Sequence, residues 1–189
     1  QLRKASDLGF NIPDVLVTNS KEELIKFEAQ HGQLVIKPLK NGRVREDGYD
    51  KLIYTNRLRK EHLENIENFD LTPCIFQREI KKQYELRVTV VGNDVFTAKV
   101  DSQNDPETIV DWRKKKLKFT RYELPDDLHE KCVLLTKSMN LSFGAIDLIK
   151  STDDKYYFLE INPNGQWAWV ERDTDQPISD HVIHFLQNA

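Results

Sequence analysis

The sequence predicts a mixed α+β fold in which most strands pair antiparallel. Residues 84–100 alternate apolar and polar side chains on both sides of Gly92-Asn93-Asp94, as expected for a β-hairpin. Residues 144–162 repeat this pattern around a polar turn from Ser151 to Lys155. Helical signals lie between the strands, including the capping box formed by Ser20 and Glu23. Because hairpins outnumber long crossovers, antiparallel sheets are expected.

The other elements follow from shorter signals. Gly9 and Gly32 stand where helical patterns end, which is typical of helix C-termini. Apolar residues at helical spacing, such as Ile178, Val182 and Phe185, indicate a C-terminal helix. In chain order the sequence predicts a helix over residues 2–8, a strand over 14–18, a helix over 20–31, a strand over 33–37, a loop over 39–50, a strand over 51–55, a helix over 57–68, strands over 74–77 and 116–122, and helices over 126–140 and 178–186.

Composition narrows the functional classes. The chain has 189 residues, 39% hydrophobic and 31% charged, which is ordinary for a globular protein. Its formal net charge of -3 gives no electrostatic case for nucleic-acid binding. The sequence has no apolar run long enough to suggest a membrane span. Cys74 and Cys132 stand in apolar surroundings and predict buried thiols in a reducing compartment, so a cytoplasmic location is expected. The scattered histidines do not predict a zinc site.

The hairpin over residues 144–162 carries a candidate metal site. If it folds about Asp153-Asp154, Asp147 faces Glu160, and Ala145 faces Asn162. Cross-strand partners share a face of the sheet, so the two carboxylates and the amide converge. Opposed carboxylates repel, and Mg²⁺ would remove that penalty while keeping positions for water and phosphate. The alternative is an ordinary solvated strand face, which often carries alternating polar residues.

An ordered set of motifs resembles the ATP-grasp ligases over essentially the whole chain. The set consists of Val35-Ile36-Lys37-Pro38, Phe76-Gln77-Arg78-Glu79-Ile80, Glu85-Leu86-Arg87-Val88, Gly144-Ala145-Ile146-Asp147-Leu148 and Glu160-Ile161-Asn162. Further segments are similar to the maturases of microviridin-type peptides, the graspetide ligases, which join Ser, Thr or Lys side chains to Asp or Glu side chains of a ribosomal precursor. Those segments are Ala98-Lys99-Val100-Asp101-Ser102-Gln103, Asp111-Trp112-Arg113 and Asn162-Pro163-Asn164-Gly165-Gln166-Trp167.

The resemblance implies an ATP-grasp fold, with two α/β lobes of mostly antiparallel sheets holding nucleotide between them. Residues 1–32 would form a linker helix and the start of the ATP-grasp region. Residues 33–76 would form the central lobe, and residues 77–189 the C-terminal lobe with the metal site. Family members also carry an N-terminal domain, and we expect this sequence to correspond to the part that follows it. The loop over residues 39–50 would cover the triphosphate.

The resemblance also implies nucleotide-binding residues. Lys37 would hold phosphates, although a strand-end lysine is as easily a surface residue. Either Lys81 or Lys82 would face the nucleotide, and the motif leaves open which one does. The implied nucleotide-binding residues are Lys37 at the phosphates, Gln77, Glu79 and Ile80 at the hinge between the lobes, Lys81 next to the hinge, and Glu85 at the ribose.

Catalytic and metal roles follow from the same resemblance. Arg87 would point toward the phosphates or the acyl group, and Lys99 and Arg113 would stabilise the acyl phosphate or orient the acceptor carboxylate. Arg113 also begins a basic run over residues 113–116, which is equally typical of a solvated surface. The implied Mg²⁺ ligands are Asp147, Glu160 and Asn162.

The implied function is an ATP- and Mg²⁺-dependent ligase. It would activate a carboxylate as an acyl phosphate and join it to a hydroxyl or amine, forming ω-ester or ω-amide crosslinks in a precursor peptide with a leader segment. One alternative is another ATP-grasp carboxylate–amine ligase, acting on glutamate or amino acids. Another is a non-catalytic nucleotide- or peptide-binding module. A homodimer is possible, and neither nucleic acid nor membrane is an expected partner.

Overall fold

The protein is described by a computed structural model covering residues 1–39, 42–64 and 72–188. The chain divides into two compact units. We call the first the larger unit; it comprises Gln1–Ile12, Lys81–Asn104 and Leu117–Ala189. We call the second the smaller unit; it comprises Pro13–Ile80 and Asp105–Lys116.

Helices and strands alternate irregularly along the chain, and in the part that is described every pairing between the strands named below is antiparallel. In chain order the elements are α1 (Leu2–Asp7), β1 (Val15–Thr18), α2 (Lys21–His31), β2 (Leu34–Pro38), β3 (Arg43–Glu46), β4 (Tyr49–Leu52), β5 (Asn56–Arg57), α3 (Lys60–Glu64), β6 (Cys74–Arg78), β7 (Lys82–Val91), β8 (Asp94–Val100), β9 (Thr120–Tyr122), α4 (Asp126–Ser138), β10 (Phe143–Ser151), β11 (Tyr156–Asn162), α5 (Ala168–Thr174) and α6 (Ile178–Gln187). The predicted helix over residues 57–68 is represented by α3, and its last four positions lie outside the described residues.

The smaller unit is built on a four-stranded sheet with the order β1-β6-β2-β5. Leu24 of α2 packs against one face of this sheet, in a core with Leu34, Leu58 and Phe76. Half of the predicted capping box is present at the start of α2: the backbone N–H of Glu23 donates to the Ser20 hydroxyl, but the backbone N–H of Ser20 donates to the Thr18 hydroxyl instead of to Glu23. The opposite face of the sheet is therefore left to the odd-numbered residues of β2 and β6.

The predicted loop over residues 39–50 is wrong where the structure describes it. Strands β3 and β4 form a two-stranded hairpin with Glu46 opposite Tyr49. Its two-residue turn is Asp47-Gly48, and both residues have positive φ, 51° and 82°. An Asp-Gly pair favours this turn because Asp and Gly tolerate the left-handed region better than other residues. The many charges of the segment lie on an exposed hairpin.

The larger unit is built on a five-stranded sheet with the order β11-β10-β7-β8-β9. One face packs against α1 and α4 and supplies the main core. The sheet residues in that core include Leu86, Val88, Val90, Ile146, Leu148 and Phe158, all nearly inaccessible to solvent. Cys132 of α4 lies among them, and burial raises the pKa of its thiol to about 12. The second face carries the polar residues discussed below.

The predicted domain boundaries at residues 33 and 77 differ from the observed division. Strand β1 pairs with β6 along its whole length, which places residues 13–32 in the smaller unit. Residues 105–116 return to the same unit, where the Asp111 carboxylate accepts a hydrogen bond from the backbone N–H of Thr55 at 2.9 Å. Among the described residues, no helix has the length and hydropathy needed to cross a bilayer.

Candidate functional site

The cross-strand pairing predicted for the candidate metal ligands is confirmed. In the hairpin of β10 and β11, Asp147 lies opposite Glu160, and Ala145 lies opposite Asn162. Directly opposed residues on antiparallel strands have Cβ atoms about 5 Å apart and project from the same face. The hairpin therefore brings Asp147, Glu160 and Asn162 to one face of the five-stranded sheet. Glu160 and Asn162 are exposed, and Asp147 is half-buried.

Closer to the turn, the predicted register is wrong by one residue. Leu148 lies opposite Phe158, whereas folding about Asp153-Asp154 would pair it with Leu159. The pairing shifts between Asp147 and Leu148, so Leu159 is the extra residue of a β-bulge. This bulge restores the predicted pairing at the site.

Arg87 completes the centre of this polar face. It lies opposite Asp147 on β7, and its Nη1 donates to Asp147 Oδ1 at 2.7 Å. The two side chains are 12% and 21% exposed. Nε of Arg87 and the hydroxyl of Thr89, on the same face, are buried without a hydrogen-bond partner among the described residues. The guanidinium therefore has an unused donor beside the carboxylates.

The turn after β11 fixes the orientation of Asn162. The side-chain Oδ1 of Asn162 accepts a hydrogen bond from the backbone N–H of Asn164 at 2.9 Å. The turn then folds onto the sheet so closely that a Cβ at Gly165 would overlap the Cβ of Ala145. Because Ala145 shares the face of Asp147, this contact places the turn beside the carboxylates. Gly165 is needed here for lack of space, and its φ is not positive.

A second bulge positions a lysine that the sequence left undecided. On a regular strand, Lys82 and Glu85 would project from opposite faces because they are three residues apart. The pairing of β7 with β10 shifts at Gln83, so Lys82 lies opposite Ser151 and turns to the Glu85 face. Lys82 Nζ lies 2.8 Å from Glu85 Oε1, with the two side chains 6% and 9% exposed. Lys81 is exposed.

The electrostatics of Glu85 reflect this burial. Loss of water raises the pKa of the Glu85 carboxyl, and the nearby Asp147 carboxylate adds to the rise. The Lys82 ammonium and the Ser102 hydroxyl oppose it. The net shift is upward, so Glu85 depends on Lys82 for its charge.

Lys99 is not brought to this cluster. It lies opposite Leu86, whose side chain belongs to the helix-covered core, and therefore projects from the face opposite Arg87. Its ammonium lies 4.6 Å from the centre of the Tyr84 ring and 2.9 Å from Asp101. Lys99 therefore lies on the face of the sheet opposite Arg87, Asp147 and Glu160.

In the smaller unit, Lys37 and Gln77 project from the sheet face opposite α2. Gln77 is 5% exposed and Ile80 is 6% exposed. The Glu79 carboxylate accepts three hydrogen bonds from Arg57, at 2.8–3.0 Å. The backbone N–H of Glu79 donates to Gln33, so its side chain and amide are already occupied.

Arg113 is held by a buried carboxylate in the same unit. Its Nε and Nη2 donate to Asp111 at 2.8 Å and 2.5 Å, and its guanidinium is 53% exposed. Burial tends to raise the pKa of Asp111, but hydrogen bonds from Arg113 and Thr55 outweigh it, and the pKa is lowered. Arg113 is thus oriented by Asp111 and keeps an open side, unlike a freely solvated basic run.

The donor set fits Mg²⁺ chemically. Two carboxylates and one amide oxygen are hard oxygen ligands, and Mg²⁺ typically takes few protein ligands beside water and phosphate. No group of three or more His, Cys, Asp or Glu side chains suited to a metal occurs among the described residues, because the third member of this trio is an amide. Sequence reasoning missed Arg87 as the partner of Asp147, because this pairing joins β7 to β10 across two separate hairpins and no turn in the sequence sets its register.

Comparison with known protein families decides the fold. A family described as the RimK-like ATP-grasp domain matches residues 56–186. The chain belongs to this family. The fold predicted from the ordered motifs, an ATP-grasp fold with mostly antiparallel sheets, is confirmed. No curated protein matches the sequence.

Similarity to solved structures supports the same fold. The chain is similar to a RiPP-associated ATP-grasp ligase of Chryseobacterium gregarium in complex with ADP and a leader and core peptide, with 35% identity, a TM-score of 0.91, and coverage of 100% of this chain and 59% of that one. It is also similar to macrocyclase MdnC of Microcystis aeruginosa MRC bound to precursor peptide MdnA, with 33% identity, a TM-score of 0.86, and coverage of 99% and 58%. Macrocyclase MdnB of the same organism shows 36% identity, a TM-score of 0.76, and coverage of 98% and 57%. The chain therefore spans a little under three fifths of these neighbours' length.

Proposed function

We propose that this protein is the ATP-dependent ligase of a ribosomal peptide pathway and forms ω-ester or ω-amide crosslinks in a precursor peptide. The observation that carries the proposal is the polar face where Asp147, Glu160 and Asn162 meet Arg87, in a chain of the ATP-grasp family. Neighbours with 33–36% identity are ligases or macrocyclases, and two of them hold a leader, core or precursor peptide. These relatives support a peptide substrate with a leader segment.

The reaction requires two transfers. A side-chain carboxylate attacks the γ-phosphorus of ATP, and ADP leaves. A hydroxyl or amine then attacks the acyl phosphate carbon, inorganic phosphate leaves, and the nucleophile loses its proton. Both transfers bring anionic groups together, so the protein acts mainly by positioning and by neutralising charge.

Each proposed residue has a role that its surroundings permit. Asp147, Glu160 and Asn162 would hold Mg²⁺, which neutralises phosphate charge when bound. Arg87 would bind phosphoryl oxygens through donors that Asp147 does not use. Arg113 would orient the acceptor through its exposed side. Lys99 is left out of the proposed site because it projects from the other face of its sheet.

Nucleotide binding is proposed for residues of both units. Lys37, Gln77 and Glu85 offer a cation, an amide and a carboxylate suited to phosphate, base and ribose. Ile80 would add an apolar contact. Lys82 supports Glu85, and the exposed Lys81 is free to reach phosphate.

The test is mass spectrometry of a short Thr-, Asp- and Glu-rich peptide encoded beside this protein, after incubation with protein, ATP and Mg²⁺. We expect the peptide to lose one water per bond formed, with matching release of ADP. Glu160→Gln should abolish the product, whereas Glu130→Gln, an exposed carboxylate on α4, should not. ADP release with free amino acids but never with a peptide would instead favour a small-molecule carboxylate–amine ligase.

A further inference from the structure

The carboxylate of Asp147 lies between two groups of opposite charge. Arg87 is directly opposite on β7, and Glu160 is directly opposite on β11. All three side chains project from one face of the sheet. Without a cation, Arg87 is the group that balances Asp147, and its Nη1 donates to Oδ1 at 2.7 Å. The ligand that a divalent cation would need is therefore already engaged.

The guanidinium of Arg87 has a donor available for a second partner. Its Nε is buried without a hydrogen-bond partner among the residues that the structure describes. A guanidinium is planar and presents donors on two edges, so it can exchange one carboxylate for another oxyanion. The unused donor and the occupied one belong to the same side chain. If Asp147 turns to a cation, more donors become free for an anion.

We propose that Arg87 is a latch on the cation site: Arg87 and a divalent cation compete for Asp147, so loading the cation releases Arg87 to bind an oxyanion. This inference rests on the proposed function, whose cation site and phosphoryl group it links. Linkage requires the effect to be reciprocal. A cation raises the affinity for the oxyanion, and the oxyanion raises the affinity for the cation by the same factor.

The chain offers a matched control for charge. Arg121 lies in the same row of the sheet, since it pairs with Ala98, which pairs with Arg87. It is exposed, and it is three strands from Asp147, or about 14 Å at the usual strand spacing. At ordinary ionic strength that distance exceeds the Debye length of about 8 Å. Arg87→Met and Arg121→Met therefore remove the same charge, but only Arg87→Met removes the group that competes with the cation for Asp147.

The experiment measures the affinity for Mn²⁺ alone by electron paramagnetic resonance of the free ion. Arg87→Met should tighten Mn²⁺ binding by about tenfold, within the usual range of coupling between sites. Arg121→Met should change it by less than about twofold, as expected for a screened charge. Equal effects of the two variants, or no tightening in Arg87→Met, would overturn the latch.

A second arm uses sulfate as the oxyanion. In the unaltered protein, saturating sulfate should tighten Mn²⁺ binding, and in Arg87→Met this gain should vanish. If Arg87→Met does not fold, Arg87→Lys keeps the charge but loses the planar fork. It should then tighten Mn²⁺ binding by about threefold with most of the sulfate effect gone, and an unchanged sulfate effect would overturn the proposal.

The outcomes separate the latch from the proposed function. Mn²⁺ binding that depends on Glu160 but ignores Arg87 overturns the latch and leaves the ligase proposal standing. Absence of Mn²⁺ binding in every form overturns the latch and also counts against the proposed cation site. Tightening in Arg87→Met together with loss of the sulfate effect supports the latch whether or not a peptide product has been found.

Discussion

Two ion pairs lie on the same face of β7, and they differ in how they are made. The Lys82–Glu85 pair is closed, with both side chains less than 10% exposed, and it exists only because a bulge at Gln83 turns Lys82 to that face. The Arg87–Asp147 pair arises from regular cross-strand pairing and keeps an unused donor. The side chains of the first pair are shielded from solvent. The second is built to exchange partners.

The largest effect on stability is expected when the Lys82–Glu85 ion pair is broken. Lys82→Met should destabilise the protein by about 3 kcal/mol, because it leaves a buried carboxylate without its cation. The matched change Lys81→Met, at an exposed neighbour, should fall within about 0.5 kcal/mol of the unaltered protein. Urea unfolding of both variants measures the difference. Equal stabilities would show that Lys82 is not the structural partner of Glu85.

A smaller effect tests the open pair through the turn beside it. Gly165→Ala should destabilise the protein by about 2 kcal/mol, since its new methyl overlaps the Cβ of Ala145. The displaced turn should also move Asn162 and weaken Mn²⁺ binding. Adding Ala145→Gly makes room, so the double variant should recover the Mn²⁺ affinity that the single variant lost. Without that recovery, the contact does not set the site.

The smallest effects are pH slopes, and the two units should show opposite signs. Folded Glu85 keeps its proton above 4.5, where the unfolded chain loses it, because burial raises its pKa. Stability should therefore fall as pH rises from 4.5 through the folded-state pKa, and Glu85→Gln should remove this fall.

Asp111 in the smaller unit has a lowered pKa, because hydrogen bonds from Arg113 outweigh the effect of its burial. Its contribution to stability should be present above 3.8 and lost as pH falls below that value, and Asp111→Asn should remove this loss. The free energy of unfolding from pH 3 to 7 checks both signs. Slopes of the same sign would contradict the assignment of either carboxyl.

The sequence predicted correctly which side chains share a sheet face where the two-residue alternation of a regular strand determines it. The facing of Asp147 and Glu160 follows from alternation and one turn position, and the structure confirms it. The bulge at Leu159 could not be predicted, because nothing in Tyr156 to Asn162 distinguishes an extra residue from a regular strand. The pairing of Asp147 with Glu160 was nevertheless predicted correctly, because the error in the position of the turn is offset by the extra residue of the bulge.

Lys99 and Lys82 are two residues whose sheet face the sequence did not predict. The motif implied a role for Lys99 at the acyl phosphate or the acceptor, and pairing with Leu86 puts its side chain on the face opposite Arg87. Lys82 reaches the site only through an irregularity that alternation excludes. The β3–β4 hairpin was missed although Asp47-Gly48 is a strong turn signal, because the charge of the segment suggested a loop.

The bulge at Leu159 divides the β10–β11 hairpin into two stretches with different registers. The outer stretch, from Leu148 to Phe158, includes the turn, and the inner stretch carries the carboxylates. The side chains of Leu148 and Phe158 are fully buried, so the core of the larger unit holds the register of the outer stretch. Changes in length are therefore expected within the exposed turn at residues 152–154, where they leave both the outer register and the orientation of the inner carboxylates unchanged.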